Sequence, residues 1–245
     1  MGIPVLLTGL NMKMTCNICG NGKFVRMNAR KAVRCSKCSS LERTRLMALF
    51  IQKFDLVNEN SKILHIAPEK GLADYLYGIA KEGCCFADLF PANYPFAKGI
   101  QKLDLCQDLD AIPDHTYDLI IHSHVLEHLP CNYTYVLYHM HRILKESGRI
   151  ICSIPVIHGF YDCCSSPELT DERRKERFGQ NDHIRKFGRD DLNMTLGKVY
   201  NLGEYDVTTI FSKEELLTYN IPENCWKYYT PGSVLCLSKT DYLLA

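Results

Sequence analysis

From Ser61 onward the chain alternates between short apolar runs and longer stretches with apolar residues at helical spacing. The runs are Lys62–Ile66, Gly83–Ala87, Gln101–Leu103, Tyr117–His122 and Arg149–Ile154. Their apolar residues follow one another instead of alternating with polar ones, as in parallel strands covered on both faces. Between them, Leu72–Ala80 and Tyr133–Leu144 repeat apolar residues at a spacing of three and four, which predicts helices. Toward the end, Tyr205–Phe211 and Ser233–Ser238 read as a closing pair of strands, with a helix at Lys213–Tyr219. Strand–helix–strand alternation at this pace predicts an α/β fold built on a doubly wound, mostly parallel sheet of seven strands.

Two segments break the rhythm. Residues 156–200 are polar and charged, from Ser165-Ser166-Pro167 through the run Asp171–Arg177, and a lid-like insertion is predicted at about 156–188. Before residue 41 no apolar period is visible. Leu41, Leu46, Leu49, Phe50 and Phe54 then fall on one helical face, so a helix over 41–54 leads into a polar hinge at Val57–Ser61. The expected organisation is a small knob at 1–40, a linking helix and hinge at 41–60, and the main domain at 61–245. A chain of 245 residues that is 46% hydrophobic can fill such a core.

The knob contains two Cys-x-x-Cys knuckles, Cys16/Cys19 and Cys35/Cys38, separated by fifteen residues. This is the spacing of a tetrahedral four-thiolate zinc site, with iron as the rival metal, and Gly20 and Gly22 suit the tight turns around it. A structural Zn²⁺ on a zinc-ribbon-like element is therefore expected. Net charge is +1 overall, but residues 1–53 hold ten Lys and Arg against one acid, Glu42, for a net +9. Even after four zinc-bound thiolates the knob stays basic, which favours a phosphate or other polyanion; the plain alternative is a solvated surface offsetting an acidic body. The opening Met1–Leu10 lacks a basic start and a small-residue cleavage site, and Leu6 stands where myristoylation needs Ser or Thr. No run is long enough to span a membrane. A cytoplasmic protein with reduced cysteines is expected, despite thirteen of them.

Ligands of open α/β sheets bind beyond the carboxyl ends of the strands. After the first strand comes His65-Ile66-Ala67-Pro68-Glu69-Lys70-Gly71, a turn into a helix with too few glycines to cradle a pyrophosphate. After the second and third stand Asp88-Leu89 and Asp104-Leu105. Each Asp alone suits a helix cap; two at successive strand ends suit the hydroxyls of a ribose and the amino group of an adenine. The fourth strand runs into His122-Ser123-His124-Val125-Leu126-Glu127-His128-Leu129-Pro130. His124-x-x-Glu127-His128 also fits the inverted zinc-hydrolase pattern, which requires a sustained helix, and Pro130 argues against one.

Asp118-Leu-Ile-Ile121 followed by His124-Val-Leu-Glu-His128-Leu, and then Arg142-Ile-Leu-Lys145 with Gly148-Arg149, resembles class I S-adenosylmethionine-dependent methyltransferases. Three further motifs carry the resemblance to a bacterial subgroup with an N-terminal zinc knob. They are the four cysteines with Leu41-Glu42-Arg43-x-Arg45, the stretch Leu64–Glu69, and Phe178-Gly179-Gln180-x-Asp182-His183-Ile184-Arg185. The resemblance implies S-adenosylmethionine as cofactor, its methionine part held by His65, Pro68, Glu69 and Gly71. It further implies Asp88 and Leu89 at the ribose, Asp104 and Leu105 at the adenine, and His122 and Ser123 under the sulfonium. The first loop departs from the family's glycine-rich wording, and Glu146-Ser147 replaces its usual Pro-Gly.

Methyl transfer needs alignment of acceptor and donor and, for a hydroxyl acceptor, removal of a proton. His128 and His183 are the expected catalytic groups, since imidazole accepts protons near neutral pH. Arg43, Arg45, Gln180, Asp182 and Arg185 are the expected acceptor-binding groups, arginine being suited to carboxylate or phosphate. The expected acceptor is a small anionic molecule, such as a sugar, sugar-nucleotide or phosphorylated precursor, methylated on oxygen for a bacterial surface glycan or a secondary product. The alternative is an RNA methyltransferase gripping phosphates with its knob, for which Phe24 alone offers base stacking ahead of the helix. A third reading is a zinc-ribbon interaction module on an inactive fold.

Overall fold

The structure, a computed structural model, describes residues 14–244. Lys13 and the apolar start Met1–Leu10 lie outside the described residues. An antiparallel hairpin, β1 (Phe24–Met27) and β2 (Arg30–Cys35), is followed by helix α1 (Glu42–Lys53). The body then runs β3 (Ile63–Ile66), α2 (Lys70–Ala80), β4 (Cys84–Asp88), β5 (Gln101–Lys102), β6 (Tyr117–Ser123), α3 (Tyr133–Ile143) and β7 (Leu144–Ser153). Three short strands, β8 (Val156–Ile157), β9 (Asp162–Cys163) and β10 (Arg185–Gly188), enclose helix α4 (Asp171–Phe178). Helix α5 (Lys213–Thr218) and strand β11 (Leu235–Ser238) complete the chain.

The main sheet has six strands in the order β11-β7-β6-β3-β4-β5. Strands β3 to β7 are parallel, and β11 pairs antiparallel with β7. The expected seventh strand does not form. Within 205–211 the Asp206 carboxylate accepts from the Thr208 amide (2.9 Å) and hydroxyl (2.5 Å), and this local capping turns Val207–Thr209 into a 3₁₀ turn. Asp206 keeps an isolated bridge to Lys227.

Side chains alternate across the sheet with a period of two. Leu119 and Ile121 enter a core with Leu46, Leu72 and Trp226, whereas Ile120 enters the opposite core with Leu64, Val136 and Met140. Helix α1 buries residues around most of its circumference, Leu46 to Ile51 without a break, so it belongs to the body's core as much as to the knob. Asn132 starts α3 by accepting from the Thr134 amide at 3.0 Å.

The segment expected to be an insertion is ordered. β8, β10 and β9 make a small mixed sheet. Arg177 on α4 holds Asp162 through two bonds of 2.6 and 2.5 Å. Arg185 is buried and donates to the carbonyls of Leu126 (3.1 Å), Leu129 (2.7 Å) and Cys131 (2.8 Å), fastening the insertion to the loop after β6. Two of the thirteen cysteines depart from the expectation of reduced thiols: Cys106 and Cys131 form a disulfide. No helix of the described residues is long and apolar enough to cross a membrane.

Candidate functional site

The two cysteine knuckles share one turn. The Gly20 amide donates to Cys16 O (2.8 Å) and the Ser39 amide to Cys35 O (3.0 Å). Gly20 and Ser39, each one residue past a knuckle's second cysteine, both take left-handed backbone, φ +72° and +63°. The sulfurs of Cys16 and Cys38 lie 3.6 Å apart and those of Cys19 and Cys35 3.5 Å apart, with all four within 4.8 Å of one another. Zinc–sulfur bonds of about 2.3 Å in a tetrahedron need sulfurs separated by about 3.8 Å, so the set fits a zinc ion. Ser40 Oγ lies 3.3 and 3.2 Å from the Cys16 and Cys38 sulfurs, and Asn21 donates to Cys35 Sγ at 3.4 Å. The hydrogen bond from Cys38 lowers the Cys16 thiol to about 4, favouring the thiolate a metal takes.

Several contacts join this knob to the body, and two of them bear on the site. A Cβ on Gly71 would stand 2.7 Å from Cys38 O and 3.1 Å from its sulfur, so only glycine lets α2 begin against the second knuckle. Arg45 is fully buried and donates to Ser40 O (2.9 Å), Val33 O (3.1 Å), Tyr219 O (2.7 Å) and Asn220 O (2.7 Å), with its guanidinium 4.9 Å from the centre of the Phe24 ring. Its donors are thus committed to main chain at the joint, and it does not line the crevice.

A crevice of about 460 Å³ opens beyond the carboxyl ends of β3, β4, β5 and β6. Asp88 and Asp104 lie on its wall at adjacent strand ends, each followed by its apolar neighbour, Leu89 and Leu105. The Asp88 carboxylate accepts from the Phe90 amide (2.7 Å) and Asp104 from the Cys106 amide (2.8 Å), so both are held by their own turns. Tyr94 faces Asp88; burial, with the carboxylate's help, pushes its hydroxyl up to about 12. His128 and Asp182 form the opposite side with Val125 and Leu129. Two residues on this wall adopt left-handed backbone without being glycine, Ala67 (φ +48°) and His124 (φ +54°).

Beside the crevice, Arg43 reaches from α1 to the first loop. It donates to Ser123 Oγ at 3.0 Å and to Glu69 Oε1 at 2.8 Å, while Glu69 Oε2 is buried without a partner among the described residues. Pro68 precedes Glu69 in the turn that feeds α2. His65 and His122 do not line the crevice. Both are buried in the sheet, His65 with its ring 6.0 Å from that of Phe86, and burial pushes them down to about 3 and about 4, so both are neutral.

A second cavity of about 210 Å³ shares His124 with the crevice and is lined by His183, Gln180, Lys186 and the side of Arg185. The rings of His128 and His183 meet edge to face at 4.7 Å. The segment His124–His128 is not a sustained helix but a short 3₁₀ turn at Leu126–His128, and His124 Nε2 donates to Pro231 O at 3.1 Å, so the framework of the zinc-hydrolase pattern is missing. Sequence reasoning did not single out Tyr94, Val125, Leu129 or Lys186. Tyr94 and Lys186 sit in segments without period; Val125 and Leu129 were legible only as members of the motif.

Parallel strands with acidic ends beside a crevice define an α/β fold of the nucleotide-binding type. The family model described as a methyltransferase domain matches residues 19–199, and the chain belongs to that family, among the class I S-adenosylmethionine-dependent methyltransferases. Comparison with curated proteins gives no match. Among solved structures, the trans-methyltransferase CalH in complex with SAH aligns at 21% identity over 45% of this chain and 35% of its own, with a TM-score of 0.34. The 1,6-didemethyltoxoflavin-N1-methyltransferase of Burkholderia thailandensis aligns at 15% over 63% and 65%, with a TM-score of 0.42. A SAM-dependent methyltransferase from Archaeoglobus fulgidus aligns at 15% over 76% and 90%, also at 0.42. The chain thus spans less than two thirds of the length of the first two.

Proposed function

We propose that the protein transfers the methyl group of S-adenosylmethionine to an oxygen of a small anionic acceptor, a sugar, sugar-nucleotide or phosphorylated precursor of a glycan or secondary product, in the cytoplasm. The observation that carries this reading is the pair Asp88 and Asp104 at adjacent strand ends, facing one crevice of about 460 Å³, a volume suited to a nucleoside-sized ligand. Asp88 takes the ribose hydroxyls, and Asp104 with Leu105 takes the adenine. At the other end Arg43 and Glu69 offer one positive and one negative group, complementary to the carboxylate and ammonium of the cofactor's amino-acid part. Pro68, Gly71 and Ser123 shape that end of the site. Zinc in the four-cysteine site is structural: it holds the knob against Gly71 and so supports the first loop.

The acceptor enters from the second cavity, where Gln180 and Lys186 supply polar and positive contacts and His128 and His183 flank the path to the crevice. Burial pushes His183 below the usual histidine range, which keeps the ring neutral and able to take a proton. Calorimetry with S-adenosylhomocysteine tests the cofactor assignment. Asp88→Ala is expected to weaken binding at least tenfold; binding absent in the wild type, or unchanged in the variant, overturns it.

One observation favours RNA as the acceptor instead: Lys23, Arg26, Arg30, Lys31, Arg34 and Lys37 are exposed on and around the knob hairpin. Phe24, however, lies under Arg45 and is not free to stack on a base. An electrophoretic shift with bulk RNA that weakens steeply with salt supports the RNA reading, and its absence supports the small acceptor.

A further inference from the structure

Glu127 is fully buried, and neither oxygen of its carboxylate has a hydrogen-bond partner among the described residues. A carboxylate in such a place is stable only when it is neutralised by a proton or paired with a cation, so the groups that face it decide which. The nearest group supplies no cation as a neutral ring. His124 Nδ1 is 3.3 Å from Glu127 Oε1, but His124 spends its Nε2–H on Pro231 O, which turns the bare lone pair of Nδ1 toward the carboxylate. No arginine or lysine forms an ion pair with Glu127 among the described residues.

The rest of the surroundings has the form of a ligand set. One ligand atom each from Glu127, His128 and His183 falls within 4.8 Å of the others. His128 turns Nε2 toward Glu127 Oε1 at 4.0 Å, while Nδ1 faces the Asp182 carboxylate at 3.5 Å and the Asp182 carbonyl at 3.3 Å. A histidine that binds a metal through one nitrogen characteristically gives the other N–H to a carboxylate or carbonyl, and Asp182 occupies that place. His183 is buried, and its ring meets that of His128 edge to face at 4.7 Å. His128 belongs to the crevice wall and His183 to the second cavity, so the three ligands stand where the two spaces meet.

We propose that Glu127, His128 and His183 bind a divalent first-row metal ion, distinct from the ion of the four cysteines, with open coordination positions toward the two cavities. Two imidazoles and one carboxylate suit zinc, iron(II), cobalt or manganese and leave positions for an oxygen ligand. In the methyl-transfer site such an ion would orient an anionic acceptor oxygen and would replace His128 and His183 as proton acceptors, since it takes their lone pairs; this role rests on the function proposed above, whereas the binding itself does not.

The test uses the full chain with its cysteine site loaded with zinc, titrated with Co²⁺ in the absence of cofactor and acceptor. The expected result is one further equivalent, with visible d–d bands but no thiolate charge-transfer band, and at least tenfold weaker binding in both His128→Ala and His183→Asn. The absence of a further equivalent in the wild type overturns the proposal and leaves a proton, on Glu127 itself or on His124, to neutralise the carboxylate. A thiolate spectrum, or undiminished affinity in both variants, also overturns it. The wild-type stoichiometry and spectrum decide the matter even if a variant fails to fold, and S-adenosylhomocysteine affinity, measured separately, tells failure of the metal site from failure of the cofactor assignment.

Discussion

Around Cys16–Cys38 the buried side chains are three cysteines, fringed by Ile18, Cys19 and Phe24; on each face of the six-stranded sheet they form a continuous apolar layer. In the body each buried Leu, Ile or Phe contributes about 1.5–3 kcal/mol, and many such contributions offset the entropy of ordering. The knob has no such reservoir. What it offers instead is a four-cysteine set suited to a metal and one buried arginine that spends its donors on carbonyls of both parts. The difference shows how a small element can be rigid without a core, provided that a metal closes it and a charged side chain ties it down.

The largest expected effect therefore comes from removing the proposed zinc. A structural zinc site supplies on the order of 10 kcal/mol of folding free energy to a small element. Chelation, or Cys35→Ser, should unprotect the amides of residues 16–40 in hydrogen exchange while those of β3, β6 and β7 stay slow. Because Gly71 packs on Cys38 and Arg43 crosses to Glu69 and Ser123, affinity for S-adenosylhomocysteine should fall along with it. Amides in the knob that stay protected without metal would break the contrast between the two regions.

Arg185 sharpens it from the other side, as the insertion's counterpart to Arg45. Its replacement by Met takes this donor from three carbonyls, two in buried bonds and that of Cys131 in a partly buried one, for a loss of about 3 kcal/mol in urea unfolding. A loss below 1 kcal/mol would mean that water satisfies those carbonyls and that the insertion is not tied to the loop after β6.

How far the sequence foretold this architecture follows from the same physics. The parallel strands were legible because burial on both faces leaves apolar residues in succession, and α1 was placed within a residue at each end. The strand expected at 205–211 failed because Asp206 bonds to its own neighbours, a local effect that an apolar pattern does not carry. The strands of the insertion are two to four residues long, too short for any period to show. Asp88, Leu89, Asp104, Leu105 and His128 were conspicuous as strand-end residues, and all five line the crevice. The commitments of Arg45 and Arg185 were not legible, because a charged side chain's partners are carbonyls that belong to every residue alike. The meeting of Glu127 with His183 depends on contact across a separation that no local spacing reveals.

The body's own weak point is the pair of neutral histidines buried in its sheet. Burial holds His65 at about 3, far below the ordinary 6.5, so between those values the unfolded chain binds a proton that the folded chain does not. Stability is then undiminished above pH 6.5 and falls as the pH drops below it, by about 1.4 kcal/mol per pH unit from this residue. His65→Gln should flatten the acid limb of a plot of unfolding free energy against pH. An unchanged slope would show that His65 gains its proton without unfolding.

The smallest effect concerns the crevice wall. Ala67 sits in the left-handed region at φ +48°, a conformation that costs a residue with a Cβ about 1–2 kcal/mol and glycine almost nothing. The Ala67 amide donates to Ala87 O at 2.9 Å, which fixes this turn between the ends of β3 and β4. Ala67→Gly relieves the strain but also frees the unfolded chain, which gains about 0.4–1 kcal/mol of conformational freedom. The net expectation is a stabilisation of about 0.5 kcal/mol, small enough to require chemical denaturation rather than a single melting temperature. A destabilisation would mean that the methyl group packs usefully against the crevice, and that the first loop replaces the family's glycine with a contact instead of tolerating a strain.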